Sequence, residues 1–156
     1  MKKLITLCFL TVVVIGCKKN ETTKENETIT EVEQEQVTEE KSLLGIGCYG
    51  YEENGTKISF EITEVNDIVL GNLNYAIAEK DKNTGTFSGI LNDSILIGTY
   101  IFQSEGQESK REIAFKVTQN QLIEGYGELN EDGTQFKNTN HIEFNSTMPL
   151  SKIACK

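Results

Sequence analysis

The sequence from residue 42 to 156 predicts an all-β domain, an antiparallel up-and-down meander of about eight strands that closes as a small barrel. Three observations support this fold class. Segments 57–63 and 111–117 alternate strictly between polar and apolar residues, as strands with one buried face do. Pairs of turn-forming residues, such as Asn54-Gly55, separate the apolar runs. No stretch of the domain repeats its apolar residues with the period of a helix.

The segments between the turn signals give the strand assignment. Eight antiparallel strands with one apolar face each must cover that face, either by closing into a barrel or by folding into two packed sheets. Sequential hairpins favour the barrel, and a β-sandwich is the alternative. The predicted strands occupy residues 44–52, 57–65, 68–78, 86–91, 94–104, 110–118, 121–129 and 139–145.

Three of these strands share a short pattern with a glycine at a constant spacing of 27 residues, at Gly71, Gly98 and Gly125. Tyr75 and Phe102 hold equivalent positions in the first two copies. Glycine inside a strand marks a bend, a bulge or a close approach of two backbones. The pattern therefore favours a tightly coiled sheet, with chance similarity between amphipathic hairpins as the alternative.

The connections between strands differ in length. In an up-and-down order, successive connections lie at alternate ends of the barrel, so we expect a closed floor at one end and an open mouth at the other. The short connections, expected at the floor, are at 66–67, 92–93 and 119–120, and the longer ones, expected at the mouth, are at 53–56, 79–85, 105–109 and 130–138.

The first 16 residues have the composition of a secretory signal peptide. Lys2 and Lys3 precede an apolar run from residue 4 to 15, and Gly16 precedes Cys17. The run is shorter than the roughly 20 residues that cross a bilayer. This segment is therefore expected to direct export and to be removed.

The end of that segment, Val14-Ile15-Gly16-Cys17, resembles the lipobox of bacterial lipoprotein signal peptides. The resemblance implies cleavage before Cys17, transfer of a diacylglyceryl group to its thiol and acylation of the new amino group. It therefore implies a membrane partner, bound through the lipid, and Lys18 in the next position favours the outer membrane. A soluble secreted protein, cleaved nearby, is the alternative.

Residues 17–41 separate the lipidated cysteine from the domain. Residues 18–41 contain no aromatic residue and no glycine, and eight Glu against four Lys, so we interpret them as a flexible acidic tether. Loss of Lys2 and Lys3 with the signal peptide changes the formal net charge from −9 to −11. This acidity argues against nucleic acid as a partner, because phosphates require Lys and Arg.

Two cysteines remain in the domain, Cys48 and Cys155. An oxidising exterior favours a disulfide between them. The meander supports the pairing independently, because the first strand begins and the last strand ends at the floor. Two free thiols are the alternative.

We predict no catalytic, cofactor-binding or metal-ligating residue. The single histidine, His141, has the opposite strand parity from Ile142 and Phe144 and is expected to face solvent. Segment 81–85 is similar to the start of a calcium-binding loop but lacks the closing Glu, so a turn is the better interpretation.

Arg111, the only arginine, is the most distinctive polar residue. Its strand parity directs it inward near the mouth, where Tyr75 and Phe102 are also expected. These three residues could line a pocket for a small anionic or amphiphilic ligand. The alternative is that Arg111 pairs with Glu79 or Glu112 at the rim while the aromatic side chains fill a solid core.

These features predict a lipoprotein with a non-catalytic binding or interaction barrel on the exterior of the cell envelope. Its partner would be a small ligand or an extracytoplasmic protein. The alternatives are a protein similar to lysozyme inhibitors, an envelope-protection protein and a structural envelope protein. By fold alone the barrel resembles lipocalin-type barrels, whose signature motif is missing from the chain.

Overall fold

The computed structural model describes residues 43–155, which fold as a closed antiparallel barrel. Each strand pairs with the next along the chain, and the last pairs with the first, so the predicted meander and its closure are confirmed. The β-sandwich alternative is excluded. The strands are β1 (Gly47–Glu53), β2 (Thr56–Val65), β3 (Val69–Ala76), β4 (Asn83–Asn92), β5 (Ile95–Ser104), β6 (Gln107–Val117), β7 (Gln121–Gly125) and β8 (Leu150–Ile153).

The eighth strand lies outside the segment predicted for it. Segment 139–145 holds a short 3-10 helix, Thr139–His141, whose Asn138 side chain accepts a hydrogen bond from the backbone N–H of Asn140. The apolar residues that suggested a strand there pack against the outside of the barrel instead. His141 is exposed as expected, although on a helical turn.

The barrel interior is filled by the apolar face of the strands. Phe60 lies at its centre, fully buried, with its ring 5.2 Å from that of Phe87 and 5.4 Å from that of Phe115. Leu44, which precedes β1, is also buried in the core. Residues 43–155 thus enclose a hydrophobic core of their own inside a closed sheet, which is what an independently folding domain requires.

The repeated glycines are sites of close packing. A Cβ atom on Gly71 would lie 2.7 Å from the ring of Phe60, and one on Gly98 would lie 2.8 Å from the ring of Phe87. Both glycines therefore make room for an aromatic ring inside the barrel. Gly125 differs, because it pairs with Ala114 on the outer face and a Cβ there would meet Ile142 at 2.4 Å. The third copy thus shares the spacing of the other two but faces the opposite side.

The two ends of the barrel differ less than expected. Residues 54–55 and 105–106, expected among the longer connections, are two-residue hairpin turns. Asn54 and Glu105 have φ values of 50°, and the glycine after each has a φ of 78°, as tight turns of this hand require. Only two of the connections expected at the mouth are therefore long, residues 77–82 and residues 126–149.

Residues 126–149, which we call the covering loop, run from β7 to β8. The backbone N–H of Glu112 donates to the carbonyl of Thr134, and the Glu112 carboxylate accepts from the N–H of Phe136. The loop also buries Ala114 and Gly125 on the outer face of β6 and β7. It therefore continues the wall where β7 ends early.

The seam between the last strands is short. β7 and β8 share only the pairs Gln121–Ser151 and Leu122–Leu150. Beside this seam, Cys48 and Cys155 form the predicted disulfide, with their Cα atoms 5.2 Å apart and 107 residues between them in sequence. The prediction of this pairing is confirmed.

The expectations for the signal peptide (1–16), for Cys17 and for the tether (17–41) lie outside the described residues. Within residues 43–155, no helix is long and apolar enough to cross a membrane.

Candidate functional site

Polar and aromatic side chains meet inside the barrel at its mouth. Four strands supply them: β3, β5, β6 and β7. Tyr100 pairs with Arg111 across β5 and β6, so both side chains point to the same face. Glu124 pairs with the fully buried Phe115 and points inward as well. We call these residues the mouth cluster: Tyr75, Tyr100, Phe102, Arg111 and Glu124.

Arg111 is surrounded by aromatic rings. Its guanidinium carbon lies 5.4 Å from the ring centre of Tyr75, 5.7 Å from that of Phe102 and 5.9 Å from that of Tyr100. The faces of aromatic rings attract cations at such distances. The structure thus brings together all three residues that the sequence singled out as possible ligand-lining residues.

The alternative pairing of Arg111 with Glu79 or Glu112 does not occur. The ion pairs within residues 43–155 join Lys57 to Glu52 and Lys137 to Glu128. The Glu112 carboxylate is engaged by the covering loop instead. The expectation of a rim ion pair is therefore wrong, and Arg111 keeps its charge directed into the barrel.

Glu124 is the residue that sequence reasoning missed. Burial raises the pKa of its carboxyl above the ordinary value, and the nearby charge of Arg111 and the hydroxyl of Tyr75 partly oppose this rise. A usable signal was present, because Glu124 lies two residues after the buried Leu122 within one strand. Strand parity alone places it inside the barrel.

The aromatic hydroxyls of the cluster differ in their partners. Tyr100 donates to the carbonyl of Leu73 at 2.9 Å, and burial raises its pKa to about 12. The hydroxyl of Tyr75 is near enough to Glu124 to influence its pKa but does not reach it with the geometry of a hydrogen bond. The Tyr75 hydroxyl therefore lies near Glu124 without forming a hydrogen bond to it.

Two buried polar atoms of the cluster lack a hydrogen-bond partner among the described residues, the Tyr75 hydroxyl and the Nε of Arg111. Leaving such a group unsatisfied costs about 1–3 kcal/mol, and more for a charged one. Most buried polar groups in proteins are satisfied by protein atoms, water or a ligand. The mouth cluster thus offers two donors to a molecule that enters it.

The members of the mouth cluster differ in their exposure to solvent. Tyr75 is only 3% exposed, while Arg111, Phe102 and Glu124 are partly buried. Tyr126, which follows β7, is 47% exposed, and its hydroxyl donates to that of Ser146 in the covering loop. Below the cluster the aromatic core closes the barrel. The partly buried side chains of Arg111, Phe102 and Glu124 are therefore the members of the cluster that solvent reaches.

A groove of about 370 Å³ lies elsewhere, on the outer face of β1, β2 and β3 beside Gly50. Its polar groups already pair with one another: Asn72 donates to Glu61 at 3.2 Å, and Asn74 donates to Ser59 at 3.5 Å. Nothing in this groove is left unsatisfied in the way that the mouth cluster is. The mouth cluster, which contains unsatisfied donors, is therefore the better candidate site.

The mouth cluster combines hydrogen-bond donors with apolar surfaces. Arg111 and Tyr75 supply donors, and the aromatic rings supply apolar walls. Within residues 43–155, no group of three or more His, Cys, Asp or Glu side chains is placed to hold a metal ion. Barrels serve many unrelated functions, so the fold alone assigns none. The chain matched no protein-family model, no curated protein and no solved structure with which it was compared.

Proposed function

We propose that the chain is a membrane-anchored lipoprotein whose barrel is a non-catalytic binding module on the exterior of the cell envelope, with the outer membrane favoured. The lipobox-like sequence ending at Cys17 and the acidic segment 18–41 support the anchor.

The ligand we propose is a small anion, or an amphiphile with an anionic head. The observation that carries this proposal is the pair of unsatisfied buried atoms, the Nε of Arg111 and the hydroxyl of Tyr75. Both can donate a hydrogen bond, and guanidinium groups hold carboxylates and phosphates well. An extracytoplasmic protein would instead dock on the outer loops.

Native mass spectrometry of the chain expressed from residue 18 onward tests the proposal. The wild-type protein is expected to carry a co-purified ligand, or to bind members of a panel of organic carboxylates, sulfonates and phosphates. Arg111→Gln should weaken binding by about 10- to 100-fold, since it removes a charge-assisted hydrogen bond. Lys110→Gln, which removes the same charge from the exposed neighbouring position, should not.

Two results would overturn the ligand. One is a clean apo mass together with no binding from the panel. The other is equal binding by the Arg111→Gln and Lys110→Gln variants. Inhibition of a lysozyme by the wild-type barrel and the Arg111→Gln variant alike would favour the envelope-protection alternative.

A further inference from the structure

We propose that Glu124 is a proton-linked gate of the mouth site: an organic anion binds between Arg111 and Tyr75, and Glu124 takes up one proton from solvent as it binds. This inference rests on the proposed binding function and specifies its ligand class and its regulation. It concerns a residue outside the sequence-predicted site.

The unsatisfied atoms favour an anionic ligand over a cationic one. The Nε–H of Arg111 can only donate a hydrogen bond, and the Tyr75 hydroxyl is free to donate. A ligand that accepts both bonds carries oxygen atoms with lone pairs, as carboxylates and sulfonates do. A cationic ligand would compete with the guanidinium for the same aromatic faces and would be repelled by it.

The position of Glu124 creates a conflict with such a ligand. Glu124 pairs with the buried Phe115 and faces the same interior as Arg111. Its carboxyl lies within electrostatic reach of Arg111 and Tyr75, the two groups that would hold the anion. An anion bound to them therefore lies close to Glu124 in a partly buried space. Two negative charges that share such a space cannot both persist without a large cost, so one of them binds a proton.

The surroundings of Glu124 make its carboxyl the group that binds the proton. The titratable groups around it are Arg111 from β6, Tyr75 from β3, Tyr100 from β5 and Tyr126 beyond β7. Burial raises the pKa of the three tyrosines, so they stay neutral at physiological pH. The carboxyl of Glu124 already has a raised pKa, which makes protonation easy. Once protonated, it can donate a third hydrogen bond to the anion.

The coupling has a definite sign. Below the pKa of Glu124 in the free protein, the carboxyl already carries its proton, and affinity does not depend on pH. Above that pKa, binding must recruit a proton, so affinity falls by about tenfold for each unit of pH. The fall ends at the higher pKa that Glu124 has in the complex.

Titration calorimetry with butanesulfonate and octanesulfonate tests the proposal. These probes stay ionised from about pH 5 to about pH 8, so any pH dependence belongs to the protein. Cationic buffers of different ionisation enthalpy report the protons taken up and do not compete as anions. The wild-type protein should take up as much as one proton per bound sulfonate and should bind more weakly as pH rises.

The Glu124→Gln variant imitates the protonated carboxyl with the same shape. It should bind the sulfonates without proton uptake, with flat pH dependence, and at about pH 8 it should bind at least about tenfold more tightly than wild type. Glu108→Gln removes a carboxylate from an exposed position on β6 and should keep the wild-type profile. Tyr75→Phe should lose affinity but keep the pH dependence. Thermal unfolding verifies that each variant is folded.

The outcomes separate the gate from the binding function. Sulfonate binding that needs Arg111 but shows no proton uptake overturns the gate and leaves the binding function intact. A co-purified amine or neutral ligand, with no sulfonate binding, overturns the anion class and the gate. Binding of no molecule at all overturns both proposals.

Discussion

Arg111 has its charge among aromatic rings and within electrostatic reach of Glu124, and it forms no ion pair with any residue between 43 and 155. The strand parity of Arg111 predicts that its side chain lies inside the barrel, but it does not identify the side chains around it. Tyr75 and Phe102 are found through the glycine repeat. Glu124 is not part of that repeat, and its inward parity with Leu122 is easily overlooked in a chain with so many acidic residues.

The stability of the barrel should depend on pH through Glu124. Its carboxyl has a higher pKa in the folded than in the unfolded chain, so the folded state binds the proton more tightly. Stability is therefore lost as pH rises from the unfolded pKa through the folded pKa. Glu124→Gln should be more stable than wild type at pH 7, and the difference should narrow toward pH 4.

Urea unfolding of both proteins at the two pH values measures this effect. Glu108→Gln serves as the control for loss of a negative charge on this acidic protein. A Glu124→Gln difference that is the same at both pH values, or that matches the Glu108→Gln difference, contradicts the prediction.

Phe60 of β2 should contribute strongly to the stability of the core. Its side chain is fully buried and touches the rings of Phe87 and Phe115. Phe60→Ala should lower the free energy of unfolding by about 3–5 kcal/mol, the usual cost of removing a buried aromatic ring. Denaturant titration checks this value. Phe102→Ala, at the partly buried mouth, should cost clearly less.

At the scale of elements, strand alternation predicts seven strands and misplaces the eighth. Ile142 and Phe144 alternate as strand residues do, but they cover Gly125 on the outer face. The true β8, Leu150–Ile153, has only four residues and one buried side chain. Its place in the sheet is fixed by its neighbours β1 and β7, and no pattern within four residues could show it.

The packing of the strands predicts that alanine substitutions at two glycines differ strongly in their effect on the free energy of unfolding. A Cβ on Gly71 would lie 2.4 Å from the carbonyl oxygen of Glu61 and against the ring of Phe60, whereas one on Gly45 would meet nothing within 4 Å. Gly71→Ala should therefore destabilise the protein by about 1–3 kcal/mol, as overpacking does. Gly45→Ala should change little. Similar unfolding midpoints for the two variants would contradict the packing described for β3.

At the scale of the whole molecule, closure of the meander and the disulfide follow from one deduction. An even number of up-and-down strands brings both chain ends to the floor, and closure of the barrel brings the first strand beside the last, so the two together place Cys48 beside Cys155. The deduction holds even though β8 lies in a different segment, because the number of strands is right. It cannot supply the covering loop, whose contacts with Glu112 join residues that are distant in sequence and follow from no strand pattern.

The disulfide should contribute strongly to stability. In the chain-entropy model, a bond that closes a loop of 107 residues contributes about 4–5 kcal/mol. The Cys48→Ser and Cys155→Ser variants should each unfold at a much lower denaturant concentration than wild type, and wild type treated with reductant should resemble them. Equal stability with and without reductant would contradict this contribution of the bond.

The anchor is testable on the whole precursor. Metabolic labelling with a radioactive fatty acid in a bacterial host should mark the wild-type protein and leave Cys17→Ser unlabelled. Cys8→Ser is the matched control, since Cys8 belongs to the segment that is expected to be removed. A labelled Cys17→Ser variant, or an unlabelled wild-type protein, would contradict the lipoprotein proposal and leave the description of the barrel unchanged.

The disulfide also governs how the barrel bears a mechanical load. A pull on the chain ahead of β1 reaches Cys48, the second residue of that strand, almost at once. From there the covalent bond divides the force between β1 and the end of β8. β1 can then be peeled from the sheet only if β8 is drawn along with it, so the disulfide protects the contact between β1 and β8 and passes the load to the two-pair seam between β7 and β8.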